Sequence, residues 1–288
     1  MSTFRERNDR KSRGEQGSQR ERGKGSQGGG RGGWDPSRPR FKPKKEEASG
    51  WLWGRHAVEA ALANPKRAAE MRLLATADRA RDLQPLLAKH RKQLRAEIVD
   101  SKQLSDRLPT GAVHQGLALK VAPLEPVSID DLAEGAEGII LMLDQVTDPQ
   151  NVGAIFRSAA AFGARGVVIQ DRNAPVLSGA LAKAAAGAVD RIPSARVTNL
   201  SRALERLSDL GWRSVGLAGE ADQTLAEALD DRPTVLVLGS EGEGIRRLVS
   251  EHCDALGRIP MPGEFESLNV SNAAAIALYE HARRVDLG

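Results

Sequence analysis

The sequence predicts an α/β protein in two units, a small α/β domain followed by a larger one on a mostly parallel sheet covered on both faces, behind a disordered basic tail. Three observations lead there. From Gly138 onward, near-continuous runs of Ile, Leu and Val recur at strand length between helix-like segments, the pattern of parallel strands buried on both sides. Between Gly50 and Val121 a shorter alternation of apolar strands and helices stands by itself. Residues 1–50 hold ten Gly and carry 14 Lys and Arg against 7 Asp and Glu, a balance of +7. The 288-residue chain has 42 Lys and Arg against 38 Asp and Glu, so the remainder carries 28 against 31, or −3.

Taken in order, residues 1–48 bury too little apolar surface to offset chain entropy. Arg and Gly interleaved with Phe4, Trp34 and Phe41 suit an arm that follows a polyanion by charge and stacks on bases, with a solubilising tail as the bland alternative. The small domain, 49–122, reads as a helix over 51–62, a strand over 71–76, a basic helix over 78–95, a strand over 97–100, a short helix over 101–108 and a strand over 116–121. Arg79, Arg81, Lys89, Arg91, Lys92 and Arg95 crowd the basic helix, and a solvated face and RNA phosphate contact both explain them. Pro123, Pro126, Asp130, Asp131 and Glu134 mark a linker over 123–134. In the domain 135–288 the strands fall at 138–143, 166–170, 191–197, 213–217, 234–238 and 255–259. Its helices fall at 149–162, 178–186, 199–210, 244–252 and 271–285.

Several function classes drop out. Cys253 stands alone and five His are scattered, so neither a disulfide framework nor a metal site is expected. His252 and Cys253 are adjacent, which on a helix points them about 100° apart, so Cys253 reads as a small core residue. No apolar run reaches membrane-spanning length and the N-terminus is polar, so the expectation is a cytoplasmic protein with no membrane partner.

Three loops remain, each at the end of an expected strand. In the first, Asp148 suits an N-cap, Pro149 the first helical position and Gly163 the residue after the helix. Gly153 lies one turn before Arg157 and is expected to leave an open patch beside its guanidinium. The apolar neighbours Phe156, Ala160 and Ala161 favour a buried or clefted Arg157, while Asn151, about 120° round the helix, orients the loop. The second loop, Gly239-Ser-Glu-Gly-Glu-Gly244, is neither a dinucleotide fingerprint nor a phosphate-binding loop. Glu241 and Glu243 would repel a pyrophosphate, which argues for a neutral or cationic ligand held by backbone groups. The third spans 258–272, where Pro260 and Pro262 end a strand and Ser267, Asn269, Ser271 and Asn272 offer caps to the final helix. A well-capped helix and a ligand site both fit that stretch, and open parallel sheets bind ligands at this edge.

Together the three loops resemble the SpoU-type RNA ribose 2′-O-methyltransferases of the SPOUT class, over the chain from about Trp53 onward. Asn151, Gly153 and Arg157 match the family's Asn-x-Gly-x-x-x-Arg; Gly239, Glu241 and Gly244 match Gly-x-Glu-x-x-Gly; Ser267–Ser271 matches Ser-Leu-Asn-Val-Ser. Gly54-x-His56-Ala-Val-Glu-Ala, His114-Gln115-Gly116 and Arg196-Val-Thr-Asn-Leu200 resemble the large-subunit (23S) rRNA guanosine subgroup with its small substrate-binding domain. The resemblance implies a trefoil-knotted larger domain and S-adenosylmethionine held by main-chain groups near Gly239, Ile259 and Leu268. It also implies a homodimer with RNA, most of all rRNA, at the subunit interface. On this reading Arg157 holds the adjacent phosphate and the nascent alkoxide, because a guanidinium stays protonated in proteins. Glu241, Ser267 and Asn269 orient Arg157 and the ribose, Asn151 fixes the first loop, and a pure capping role for Ser267 and Asn269 stays open. The rivals are a tRNA methyltransferase, a non-catalytic RNA-binding or ribosome-assembly protein on the same fold and, more distantly, a dinucleotide oxidoreductase.

Overall fold

The structure, a computed structural model, describes residues 50–68, 70–172, 175–177, 179–263 and 267–287. The basic tail expected over 1–48 lies outside them. The small domain runs β1 (Trp51–Trp53), α1 (Arg55–Ala63), β2 (Met71–Ala75), α2 (Ala77–His90), β3 (Ala96–Ile98), α3 (Ser101–Arg107) and β4 (Leu117–Val121). Its sheet has the order β1-β4-β2-β3, antiparallel except for β2 with β3. The helix expected from residue 51 begins at Arg55 instead. Trp51, Leu52 and Trp53 are all buried and pair with Lys120, Leu119 and Ala118. Three bulky apolar residues in a row suit a strand covered on both faces, and the turn at Gly54 ends it before helical periodicity sets in.

The basic helix also stops early, at His90. Arg91 leaves helical geometry, and its Nε and Nη2 donate to the Leu62 and Asn64 carbonyls at 3.1 and 2.5 Å, capping the end of α1. Arg79 pairs with Asp82 at 3.0 Å and Arg81 with Asp78 on the same helix face. Arg79 and Arg81 are thus ion-paired on the helix surface, which favours the solvated-face explanation for them, whereas half-buried Arg91 serves as a cap.

The larger domain runs α4 (Ile129–Ala133), β5 (Ile139–Leu143), α5 (Pro149–Ala161), β6 (Gly166–Gln170), α6 (Gly179–Ala184), a 3-10 turn (Ala188–Asp190), β7 (Ser194–Val197), α7 (Leu200–Asp209), β8 (Arg213–Leu217), α8 (Leu225–Ala228), β9 (Thr234–Leu238), α9 (Arg247–Ser250), β10 (Ala255–Gly257) and α10 (Val270–Leu287). All pairs in its six-stranded sheet, ordered β10-β8-β9-β5-β6-β7, are parallel. Alternate residues of each strand feed opposite cores. Leu141, Val167 and Leu236 pack with α5, α6 and α10, whereas Ile140, Val168 and Val235 pack with α4 and α7. Within the expected linker, Val127 bridges to Ala195, and Ala133 of α4 accepts a 3.0 Å hydrogen bond from Trp212 Nε1. Residues 191–193, expected in a strand, precede β7, because the chain is still leaving the 3-10 turn.

Candidate active site

Beyond the carboxyl ends of β8, β9 and β10, three adjacent strands, the chain encloses a cleft of about 280 Å³. Its walls come from three turns: Ala218 to Glu220 after β8, Gly239 to Gly244 after β9, and Ile259 with Met261, Ser267 and Leu268 after β10. The contribution from β8 was not expected from the sequence; Gly219 and Glu220 belong to no pattern that marks a ligand loop.

The middle turn is closed on itself. Ser240 N donates to Gly244 O at 3.1 Å and Gly244 N returns to Ser240 O at 3.0 Å. That closure brings Gly244 so near Gly239 that a Cβ on Gly239 would lie 2.0 Å from the Gly244 carbonyl carbon, so no larger residue fits there without opening the turn. Behind it, fully buried Asp144 accepts from Arg246 N and Arg246 Nε at 2.8 Å each, and Arg246 Nη2 donates to Gln170 Oε1 at 3.1 Å. The turn is therefore anchored to the ends of β5 and β6. Asp144 and Arg246 are 102 positions apart, and no local pattern announces their pairing.

At the rim the three expected segments meet. Asn151 Nδ2 donates to Glu241 Oε1 at 3.0 Å, and Asn269 Nδ2 donates to Glu241 Oε1 at 2.5 Å and to Asn151 Oδ1 at 3.0 Å. Asn269 also caps α10: its Oδ1 accepts from Ser271 N at 2.9 Å and Ser271 Oγ at 2.6 Å. The two explanations offered for this stretch thus describe one side chain, with its oxygen on the helix and its amide nitrogen on the rim. Ser267 is exposed, lines the cleft and makes no capping bond among the described residues.

Arg157 departs from expectation. It is exposed on α5, and among the described residues it makes no hydrogen bond or ion pair, so Glu241, Ser267 and Asn269 do not orient it within this chain. The buried face of α5 is Val152, Gly153, Ile155, Phe156 and Ala159. Arg157 lies about 40° beyond Gly153 and shares its stripe with exposed Ala161. The open patch expected at Gly153 is filled as well. A Cβ there would meet Leu181 O and Ala184 Cβ, both at 2.6 Å, because α6 crosses α5 at that point. The helix bounds hold: Asp148 Oδ1 accepts from Gln150 N at 3.1 Å, and Gly163 adopts φ 68°.

Glu220, Glu241 and Glu243 all border the cleft, whose other walls include glycine backbone and the apolar residues Ile245, Ile259 and Leu268. Such a lining suits a flat apolar ring held by main-chain groups together with a cationic or hydroxyl-bearing part. No group of three metal-ligating side chains occurs among the described residues, and no described helix is long and apolar enough to cross a membrane.

Comparison with known proteins agrees with this architecture. Residues 138–279 match the SpoU rRNA Methylase family, and residues 51–127 match the domain described as RNA 2'-O ribose methyltransferase substrate binding. A Pseudomonas aeruginosa protein named 23S rRNA (guanosine-2'-O-)-methyltransferase RlmB is 39% identical over 251 residues, covering 81% of this chain and 96% of that one. The chain therefore belongs to the SpoU rRNA methylase family. An uncharacterized tRNA/rRNA methyltransferase of Mycobacterium sp. (strain KMS) is 46% identical over 184 residues, and that match spans only 59% of the relative's length. Among solved structures, a putative RNA methyltransferase of the TrmH family from Porphyromonas gingivalis superimposes with a TM-score of 0.64 at 29% identity, over 84% of this chain and 92% of that one. The SpoU methyltransferase AviRb from Streptomyces viridochromogenes, in complex with the cofactor AdoMet, gives a TM-score of 0.70 over 85% and 93% of the two chains; at 24% identity it speaks for the fold alone. The fold is thus the α/β SpoU methyltransferase fold, with a parallel sheet and an N-terminal substrate-binding domain.

Proposed function

We propose that this chain transfers the methyl group of S-adenosylmethionine to a ribose 2′-hydroxyl of RNA, with a guanosine of 23S rRNA as its target. The observation behind the proposal is the hydrogen-bonded triangle of Asn151, Glu241 and Asn269 at the mouth of a cleft walled by Gly239, Ile259 and Leu268. Three segments up to 118 positions apart meet at one polar rim beside one ligand-sized space. The name of the Pseudomonas relative and the small domain's match to a substrate-binding module support rRNA. The mycobacterial relatives' tRNA/rRNA name makes tRNA the second reading.

The cleft fits the cofactor on its own chemistry. Main-chain groups of the Gly239 turn and the apolar side chains of Ile259 and Leu268 would hold the adenosine, and the neighbouring carboxylates favour the cationic end. When bound, S-adenosylmethionine supplies an electrophilic methyl group on a sulfonium sulfur. The protein's task is to align the ribose oxygen with that methyl and to stabilise charge developing on the oxygen. Glu241 Oε1 is occupied by two amide donors, leaving Oε2 to accept the hydrogen of the ribose hydroxyl. Arg157 acts by holding the adjacent phosphate and the nascent alkoxide, since a guanidinium offers donors and no acceptor; Ser267 contacts the ribose from the cleft wall.

Arg157 has no partner among the described residues, and α10, which packs against α5, exposes Ile276 and Tyr279. A homodimer formed over α5 and α10 would cover both, enclosing Arg157 at the interface where RNA enters. The knotted threading of the segments after β9 and β10, a cytoplasmic location and an RNA-tracking role for the tail complete the reading. The test is to map 2′-O-methyl positions in rRNA from cells with and without the gene and to restore them with purified protein and labelled S-adenosylmethionine. Loss and restoration at one 23S guanosine is the expected result; unchanged rRNA with loss of a tRNA ribose methyl would move the assignment to tRNA.

A further inference from the structure

The small domain is fastened to the larger one at two points. At the first, Arg67 Nε and Nη2 donate to Asp190 Oδ1 and Oδ2 at 2.7 and 3.0 Å, and Arg67 Nη1 donates to Ala122 O at 2.8 Å. Asn64 Nδ2 adds a 3.0 Å bond to Asp190 Oδ1, and the side chains of the ion pair are only 1% and 2% exposed. At the second, Lys183 Nζ on α6 donates to Gln115 Oε1 at 2.7 Å, and the same oxygen accepts from Arg55 N at 3.1 Å. Gln115 holds φ 54°, a left-handed backbone that a non-glycine residue adopts only where its surroundings over-determine it. Between the two points Ala182 of α6 packs into the small domain's core. Gly187 lies so close to α1 that a Cβ would sit 2.8 Å from His56 O.

α6 continues this connection inward. It crosses α5 at Gly153, and α5 carries Asn151 and Arg157. Two domains of one chain ordinarily move against each other unless their interface prevents it. A buried bidentate pair fixes orientation as well as distance, and separating its partners would leave desolvated charges uncompensated.

We propose that this junction is a spacing device: it holds the small domain's RNA grip at a set distance and angle from the cleft and so selects which nucleotide is methylated, with Gln115 and Lys183 as positioning residues. The proposal rests on the methyl-transfer reading above. It is tested in the full chain with two variants, Lys183→Met, which removes the half-exposed link, and Arg67→Met with Asp190→Leu, which replaces the buried pair by apolar side chains.

Spin labels at Lys102→Cys in the small domain and Asp209→Cys in the larger one, diluted into unlabelled protein, report the interdomain distance; both positions are exposed. A narrow distribution in the parent chain should broaden in both variants. In the same variants methylation should spread to neighbouring nucleotides and kcat/KM for rRNA should fall by about 10²-fold, while cofactor affinity holds. Unchanged distributions, or broadened ones with the original site and kcat/KM intact, would overturn the proposal. A broad distribution in the parent chain would overturn the junction alone, whereas absence of methyl transfer by the parent would overturn the reading on which it rests.

Discussion

Asp190 and Glu241 each draw together segments far apart in the chain, but in opposite surroundings. Asp190 is sealed between the domains, with both oxygens spent on Arg67 and Asn64. Glu241 stands exposed at the cleft rim, with both amide bonds on Oε1. A desolvated and fully satisfied carboxylate has nothing left to offer a ligand, and its loss is felt as instability. An exposed carboxylate held in place by two amides keeps acceptor capacity in reserve. The same contrast separates Arg67 from Arg157: one guanidinium is fully engaged, and the other is exposed and unpartnered among the described residues.

Substitutions at the two regions should therefore fail in different ways. The largest effect on folding is expected from Arg67→Ala, which strands Asp190 as a buried unpaired charge; breaking such a pair costs about 3–5 kcal/mol, readable as a lowered denaturant midpoint. Adding Asp190→Leu should recover part of that loss, and no recovery would mean that the pair's charge was not the cause.

Gly153→Ala comes next, because its Cβ would press on the α6 backbone at Leu181. Overpacking of that kind costs roughly 1–3 kcal/mol, and thermal melts should show it even though Gly153 shares a sequence motif with Asn151 and Arg157. An unchanged melting temperature with reduced methyl transfer would instead assign Gly153 to the ligand.

Cys253 supplies a pH-dependent comparison. Burial, with Asp254 and Asp144 nearby, pushes its thiol up to about 12. The folded chain thus holds this proton more tightly than the unfolded one, whose thiol titrates near about 8.5. This contribution is intact below that pH and is lost progressively as pH rises toward about 12. Alkylation at pH 8 should be slow in the folded protein and fast in denaturant; equal rates would show the thiol to be open. The smallest effect is expected from deleting residues 1–48. This should weaken RNA binding and flatten its salt dependence through lost counterion release, without moving the methylated position.

The centre of the larger sheet was readable because β5, β6 and β9 are compact apolar runs between helix signals, whereas β7, Ser194–Val197 with Arg196 in it, was not cleanly bounded. The rim was readable as well, because Asn151, Glu241 and Asn269 each follow a strand end at motif spacing. What escaped was long-range or two-sided. Arg67 and Asp190 lie 123 positions apart, and only the folded chain brings them together. Trp51–Trp53 looked like the start of a helix because a short apolar run has no period of its own. Arg157 looked buried because alanines flank its stripe, yet Ala161 is itself exposed, and alanine tolerates solvent too well to mark a buried face.

The central claim is that Arg157 carries chemistry separable from cofactor binding, and Arg157→Ala addresses it most directly. Single-turnover methyl transfer at saturating RNA, paired with calorimetric titration of S-adenosylmethionine, should show a rate loss of about 10² to 10³, as for comparable electrostatic donors, with cofactor affinity and melting temperature unchanged. Arg157→Lys should restore little, since a point charge does not replace a planar fork. Wild-type chemistry in the alanine variant, or a loss of cofactor affinity equal to the loss of rate, would contradict the account.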